Sequence, residues 1–131
     1  MNFAYTILYV ENVPQSIEFY RQAFGLKRKM IHESGDYGEL ATGTTTLAFA
    51  SRKMMADQGK SPVAPSSVAP TFEIALTTQD VPAAINRAVK AGATLVQDAT
   101  AMPWGQTIAY VTDNSGFMVE LCTPISESQD S

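Results

Sequence analysis

The sequence predicts an α+β fold built from two βαβββ modules. A repeat is the first observation behind this prediction, because "ENVPQSIEFYRQAFG" in the first half resembles "QDVPAAINRAVKAG" in the second. The second observation is that a run of β-type residues precedes each copy. Further such runs follow it, separated by turns rich in Gly, Asp and Asn. Each half of the chain therefore predicts one strand, one helix and three more strands.

The two predicted helices begin in the same way. Asn12 and Asp80 are suitable N-caps, because a short side-chain oxygen can accept from the exposed N–H groups of the first turn. A proline follows two positions later in each copy, where it removes only a donor that has no partner. Apolar or small residues then recur at helical spacing on one face of each helix, at Val13, Ile17, Tyr20 and Phe24, and at Val81, Ile85, Ala88 and Gly92.

The predicted strands cover residues 3–10, 27–33, 38–42 and 45–51 in the first module, and 71–78, 94–98, 107–112 and 116–123 in the second. Residues 52–70 contain several prolines and little periodicity, so they are predicted to connect the modules. The whole of 1–125 is predicted to be a single domain, with module one at 1–51 and module two at 71–125. Residues 126–131 are polar and are predicted to form a flexible tail.

Composition excludes several classes of protein. The chain has 131 residues, of which 45% are hydrophobic and 17% charged, as expected of a folded domain with a core. The net charge of −4 argues against a nucleic-acid-binding surface. No apolar run is long enough to span a bilayer and no signal-peptide pattern begins the chain, so a cytoplasmic location away from membranes is expected. With one cysteine, Cys122, and one histidine, His32, neither a Cys-rich nor a multi-histidine metal site can form within one chain.

Two segments resemble a known family. The stretch "YVENVPQSIEFYRQAFGL" is similar to the first strand and helix of the vicinal oxygen chelate superfamily, and "WGQTIAYVTDNSGFMVELCTP" is similar to its closing hairpin. That superfamily includes glyoxalase I, bleomycin-resistance proteins, extradiol dioxygenases and methylmalonyl-CoA epimerase. The resemblance implies a curved, mixed, eight-stranded sheet around a cavity, which lies within one chain or is shared across a dimer. It also implies a homodimer.

Strand alternation selects the residues expected to face this cavity. These candidate ligand-binding residues are Tyr5, Ile7, Tyr9, Ala48, Glu73, Met118 and Glu120, with Trp104 in a loop at the cavity mouth. The metal-ligand positions of the family's enzymes correspond to Tyr5, Ala48, Glu73 and Glu120. Only the two glutamates are ordinary ligands, so no metal site is predicted. Each candidate also has a plainer interpretation, since tyrosine is common in strands and a glutamate is often paired or solvent-exposed.

Two functional hypotheses follow. In the first, the protein is a binding module of the glyoxalase/bleomycin resistance type that sequesters a small aromatic or cationic ligand in an acidic, aromatic-lined cavity, without a cofactor. In the second, it is a lyase, isomerase or dioxygenase that depends on a divalent metal or on one carboxylate, with Glu73 and Glu120 as the catalytic candidates. The residues favour the first hypothesis and leave the second open.

Overall fold

The computed structural model of the chain describes residues 1–125; the predicted tail at 126–131 lies outside this range. Eight strands and three helices lie within the described part. The elements are β1 (Tyr5–Val10), α1 (Val13–Phe24), β2 (Lys27–Ile31), β3 (Tyr37–Ala41), β4 (Thr46–Ser51), α2 (Arg52–Asp57), β5 (Glu73–Thr77), α3 (Val81–Ala91), β6 (Thr94–Ala101), β7 (Thr107–Thr112) and β8 (Met118–Cys122).

Each half of the chain forms its own four-stranded sheet. The strand order is β1-β4-β3-β2 in the first sheet and β5-β8-β7-β6 in the second. In each sheet the first pair is parallel and the other two pairs are antiparallel. The chain divides into two compact units, the first covering Met1–Pro65 and the second beginning at Ser66. The predicted α+β fold of two βαβββ modules is therefore confirmed, with its eight strands hydrogen-bonded in two sheets of four.

The long helix of each unit is capped as the sequence predicts. The side chain of Asn12 accepts from the N–H of Gln15 at 3.0 Å, and that of Asp80 accepts from the N–H of Ala83 at 3.1 Å. Gly25 and Gly92 end the two helices with φ of 71° and 115°. Only glycine adopts this left-handed conformation at little cost.

Removal of either cap is expected to destabilise its helix. Asn12→Ala and Asp80→Ala should each lower the free energy of unfolding by about 1 kcal/mol, because the first turn loses a partner for one N–H group. Urea denaturation would measure both losses. Asn12→Ser and Asp80→Ser are the matched controls, since serine keeps an acceptor at the cap. If the serine variants lose as much as the alanine variants, capping is not the cause.

One helix packs on one face of each sheet and forms the core. In the first unit Leu8, Tyr20 and Phe49 are buried, and the rings of Tyr20 and Phe49 meet edge to face with centroids 5.1 Å apart. In the second unit Val119 and Leu121 are buried beneath α3, as alternation predicts. The face of each sheet opposite α1 or α3 is called the open face below.

The segment predicted as a plain connection begins with a helix. The side chain of Ser51 accepts from the N–H of Met54 at 3.0 Å and so caps α2. Met55 is buried and anchors this short helix to the first unit. The segment has only one buried apolar position in α2, so helical periodicity could not be detected in its sequence.

Two strands have ends that differ from the prediction, because hydrogen-bonded pairing with the neighbouring strand determines where each one begins or stops. Strand β1 begins at Tyr5 rather than at residue 3, because Tyr5 is the first residue with a partner, Thr46 on β4. Strand β6 continues to Ala101, beyond the predicted end at 98, since Thr100 and Ala101 still pair with β7. Its register against β7 shifts twice, so β6 contains irregular pairing that periodicity alone does not reveal.

Gly38 on β3 marks a close approach between the sheet and α1. A Cβ at this position would lie 3.1 Å from Val13 Cγ1, 3.2 Å from the Met30 carbonyl oxygen and 3.3 Å from Ile31 Cγ1. Gly38→Ala is therefore expected to lower the free energy of unfolding by about 1 to 3 kcal/mol, as overpacking does. A double-mutant cycle with Val13→Ala should recover part of this loss. Unchanged stability of Gly38→Ala would mean that the neighbouring strand moves aside.

Candidate functional site

The open face of the first sheet carries three of the predicted residues in a row. Tyr5, Ile7 and Tyr9 lie on β1, and the register places Ile7 beside Ala48 on β4. Tyr5 is 52% exposed, whereas Ala48 is completely buried. Ala48 therefore shapes this face without offering a surface to a ligand.

A tyrosine and a glutamate on β3 also occupy the open face of the first sheet. The Tyr37 hydroxyl donates to Glu39 Oε2 at 2.7 Å, and Lys29 Nζ lies 3.5 Å from Glu39 Oε1. Burial, followed by the hydrogen bond and charge of Glu39, raises the pKa of Tyr37 to about 12. Because Lys29 balances the charge of Glu39, this pair gives the first open face little net negative charge.

Tyr9 already has a cation as its neighbour. Lys60 Nζ lies 5.5 Å from the centroid of the Tyr9 ring and donates to the Tyr9 hydroxyl at 3.3 Å. It also contacts Met55 Sδ at 3.4 Å. A cation–π contact of this kind occupies the ring face that a cationic ligand would use.

The open face of the second sheet carries the two predicted glutamates. Glu73 lies at the start of β5 beside Met118, and Glu120 on β8 is flanked by Ala75 and Tyr110. Within β5 and β8 the alternation is as predicted, with Val119 and Leu121 on the helix side. By register, Glu73 corresponds to Tyr5 of the first unit and Glu120 corresponds to Ala48.

Tyr110 links the two glutamates. Its hydroxyl donates to Glu120 Oε1 at 3.1 Å. Burial raises the pKa of Tyr110 to about 12, and the hydrogen bond and charge of Glu120, followed by the charge of Glu73 and a hydrogen bond to it, act in the same direction. The phenol therefore stays protonated at neutral pH and keeps its hydrogen directed toward a carboxylate.

The thiol of Cys122 is influenced by the same two glutamates and is expected to be unreactive. Burial, reinforced by Glu120 and then Glu73, raises the pKa of the Cys122 thiol to about 11. A thiol that stays protonated is a poor nucleophile and a poor metal ligand. Cys122 is also buried and lies 3.8 Å from the Leu76 carbonyl oxygen, so it serves as a small core residue.

An open cleft of about 430 Å³ lies in the second unit next to this group. Two of the predicted site residues, Glu73 and Met118, are in its wall. Its lining residues are Pro70, Thr71, Phe72, Glu73, Val96, Gln97, Tyr110 and Met118. Within residues 1–125, this lining contains one acidic and no basic side chain. The cleft combines apolar walls with a single negative charge, a composition that suits a small cation with an apolar body.

Trp104 lies apart from this cleft. It sits in the loop between β6 and β7, is 53% exposed, and donates from Nε1 to Gln106 Oε1 at 2.8 Å. Glu120 likewise does not line the cleft but holds Tyr110, which does. The structure thus brings Glu73 and Met118 together at the cleft and leaves Tyr5, Ile7, Tyr9 and Ala48 on the sheet of the other unit.

The residues at the predicted ligand positions do not fit a metal ion. The side chain of Ala48 has no atom that could bind a metal, and tyrosine is not among the usual ligands of zinc. In the part of the chain that the structure describes, no three His, Cys, Asp or Glu side chains come together in a way that could hold a metal. The side chains at these positions therefore do not form a metal-ligand set.

Three residues of the open faces were not predicted from the sequence: Tyr37, Glu39 and Tyr110. Alternation within β3 and β7 predicts that Tyr37 and Glu39 share one face of β3 and that Tyr110 faces away from Ala109 and Val111, but it does not say which face is the open one. The pairing of Tyr110 with Glu120 follows from the β7–β8 register and not from spacing along the chain.

The two hydrogen-bonded tyrosines, Tyr37 and Tyr110, are expected to ionise at higher pH than an ordinary tyrosine. Tyr37→Phe and Tyr110→Phe should each remove a step near pH 12 from the ultraviolet absorbance titration. An unfolded tyrosine ionises near 10, so between pH 10 and 12 the unfolded chain loses protons that the folded chain keeps. The contribution of each pair to stability is therefore complete below about pH 10 and lost as the pH rises to about 12. A titration that both variants leave unchanged would contradict this.

Comparison with known proteins assigns the family. The profile of the Glyoxalase/Bleomycin resistance protein/Dioxygenase superfamily matches residues 2–121. The chain therefore belongs to this superfamily, as its paired modules indicate. None of the curated proteins compared with the chain matches it.

The three helices within residues 1–125 are too short or too polar to span a bilayer.

Solved structures agree with the fold. A glyoxalase-related enzyme from Fulvimarina pelagi is 21% identical, with a TM-score of 0.80 over 95% of this chain and 88% of that one. A glyoxalase/bleomycin resistance protein/dioxygenase family enzyme from Burkholderia phytofirmans is 18% identical, with a TM-score of 0.76 over 94% and 98%. TioX from Micromonospora is 18% identical, with a TM-score of 0.71 over 94% and 98%. At these identities the similarity concerns the fold alone.

Proposed function

We propose that the protein binds a small molecule with a cationic group and an aromatic or other apolar body, and releases it unchanged. The cleft of the second unit is the proposed site. Phe72, Val96 and Met118 supply apolar walls, and Glu73 supplies the negative charge. Superfamily membership supports this proposal only in part, since the family contains both binding proteins and enzymes.

The observation that carries the proposal is the uncompensated charge of Glu73. On the first open face the charge of Glu39 is balanced by Lys29 at 3.5 Å. By contrast, the cleft lining within residues 1–125 contains Glu73 and no basic side chain. An acidic group in a partly apolar cleft attracts a cation and repels an anion.

Calorimetric titration with three probes of similar shape tests this proposal: benzylammonium, benzyl alcohol and benzoate. We expect benzylammonium to bind most tightly, benzyl alcohol more weakly and benzoate most weakly. The preference for the cation should shrink at high salt, because added ions screen Glu73. Equal affinities for all three probes, or a preference for benzoate, would overturn the proposal.

A carboxylate-dependent lyase, isomerase or dioxygenase is the second candidate. It is favoured by the hydrogen bond between Tyr110 and Glu120 beside Glu73, since such a group can hold or accept a proton. Mass spectrometry of the bound probe after long incubation separates the two candidates. A chemically altered probe, with no alteration by Glu73→Gln or Glu120→Gln protein, would favour the enzyme.

A cytoplasmic homodimer is part of the proposal. Closed two-fold pairing is the commonest arrangement of soluble oligomers, and the family resemblance implies it here. Sedimentation equilibrium should give about twice the chain mass of 14.1 kDa. A mass of one chain at all concentrations would overturn the proposed dimer but would not affect the proposal that the cleft binds a ligand.

A further inference from the structure

We infer that the cleft of the second unit selects cations that carry N–H donors, such as a protonated primary amine or a guanidinium, over quaternary ammonium ions of the same charge. This inference rests on the proposed function and narrows its ligand class. It follows from the number of hydrogen-bond acceptors that Glu73 and Tyr110 present to the cleft.

Tyr110 presents an acceptor because its only hydrogen is already used. The hydroxyl donates to Glu120 Oε1 at 3.1 Å, and Glu120 does not line the cleft. A hydroxyl group has one donor and two acceptor lone pairs. With the hydrogen directed at a carboxylate, the phenol oxygen is left as an acceptor in the cleft wall.

The same conclusion holds if the hydroxyl turns toward Glu73. Both carboxylates stabilise the protonated phenol, and the hydroxyl hydrogen goes to a carboxylate in either case. The raised pKa of Tyr110 keeps this hydrogen in place well above neutral pH. Tyr110 therefore acts on a ligand as an acceptor over the whole physiological range.

Glu73 adds a second, charged acceptor on the neighbouring part of the wall. An ionised carboxylate accepts hydrogen bonds and donates none. Phe72, Val96 and Met118 offer no strong donor or acceptor side chain, and the Thr71 hydroxyl and the Gln97 amide can each turn an oxygen toward a ligand. Every polar side chain of the lining can thus accept a hydrogen bond from the charged end of a ligand.

A quaternary ammonium ion cannot use these acceptors. It carries the same charge but has no N–H, and it would cover the Glu73 carboxylate and the Tyr110 oxygen without hydrogen-bonding them. Quaternary ions are usually held by cages of several aromatic faces. Here the lining contains only Phe72 and Tyr110 as aromatic residues within 1–125, and Phe72 packs edge to face on Phe117 at 5.9 Å.

Progressive N-methylation of one probe tests the inference. Benzylammonium, its N-methyl and N,N-dimethyl derivatives, and benzyltrimethylammonium keep the charge and the ring while removing N–H groups one at a time. Calorimetric titration at neutral pH should give an affinity that falls along the series, with benzylammonium about tenfold tighter than benzyltrimethylammonium, the size of one charge-assisted hydrogen bond.

Variants assign the effect to Tyr110. Tyr110→Phe should reduce the ratio between the first and last probes by about threefold or more, because one acceptor is lost while the charge of Glu73 remains. Tyr37→Phe is the matched control, since it also breaks a tyrosine–glutamate hydrogen bond, but on the other sheet. It should leave the ratio unchanged. Circular dichroism would verify that both variants are folded.

The possible failures are distinguishable. If benzylammonium and benzyltrimethylammonium bind equally, and both more tightly than benzyl alcohol, the acceptor-based selectivity is wrong and the cationic site stands. If neither cation binds more tightly than benzyl alcohol, the proposed function itself is overturned. A ratio that Tyr37→Phe reduces as much as Tyr110→Phe would also overturn the role given to Tyr110.

Discussion

Glu73→Gln is expected to weaken the binding of benzylammonium about tenfold, while the affinity for benzyl alcohol changes little. Glutamine keeps the size of the side chain and one carbonyl acceptor but removes the negative charge of the cleft lining. A hydrogen bond to a charged group contributes roughly 1.5 to 3 kcal/mol. Because Glu73 is exposed to solvent, the lower end of that range applies.

Glu33→Gln is the matched control for this prediction. Glu33 is also exposed but lies in the first unit, beyond the end of β2, and its loss changes the net charge of the chain by the same amount. Calorimetric titration should give the Glu33→Gln protein an unchanged affinity. Equal weakening by both substitutions would mean that overall charge, and not the cleft, attracts the ligand.

Phe49→Ala is expected to produce the largest loss of stability, about 3 to 5 kcal/mol. The Phe49 side chain is fully buried between the first sheet and α1, and its ring packs edge to face on Tyr20. Removing the ring leaves a cavity that the surrounding strand and helix can fill only in part. Urea denaturation followed by circular dichroism would measure the loss.

Phe3→Ala is the matched control for the core prediction. The same ring is removed, but Phe3 is 76% exposed and precedes β1. The expected change is within about 0.5 kcal/mol, as for most surface substitutions. A comparable loss in both variants would mean that burial of Phe49 does not explain its contribution.

Local patterns were sufficient to predict most of the fold. The helix caps at Asn12 and Asp80 and the alternation of Val119 and Leu121 depend on neighbours within a few residues, so the sequence contains them directly. The equivalence of Tyr5 and Glu73 also followed from the repeat, because both modules have the same strand register at this point.

Contacts between distant residues could not be predicted in this way. Lys60 reaches the ring of Tyr9 only because the chain folds back after α2, and no local pattern records that return. The acceptor role of Tyr110 required the structure for another reason, because the exact β7–β8 register decides which carboxylate lies beside its hydroxyl. The identity of the cleft residues therefore required the structure, although their chemical types were visible in the sequence.

The close approach at Gly38 limits which strands can be swapped between the two halves of the chain. Ala109 is its counterpart in the second unit, and there β6 changes register between Gln97 and Thr100, so that two residues face Ala109. Strand β2 stays regularly paired at Ile31, opposite Gly38. Ala109 in place of Gly38 would meet a neighbouring strand without that irregularity. A chimaera that exchanges β3 and β7 between the halves is therefore expected to fold better when each strand is transferred together with its neighbour, β2 or β6.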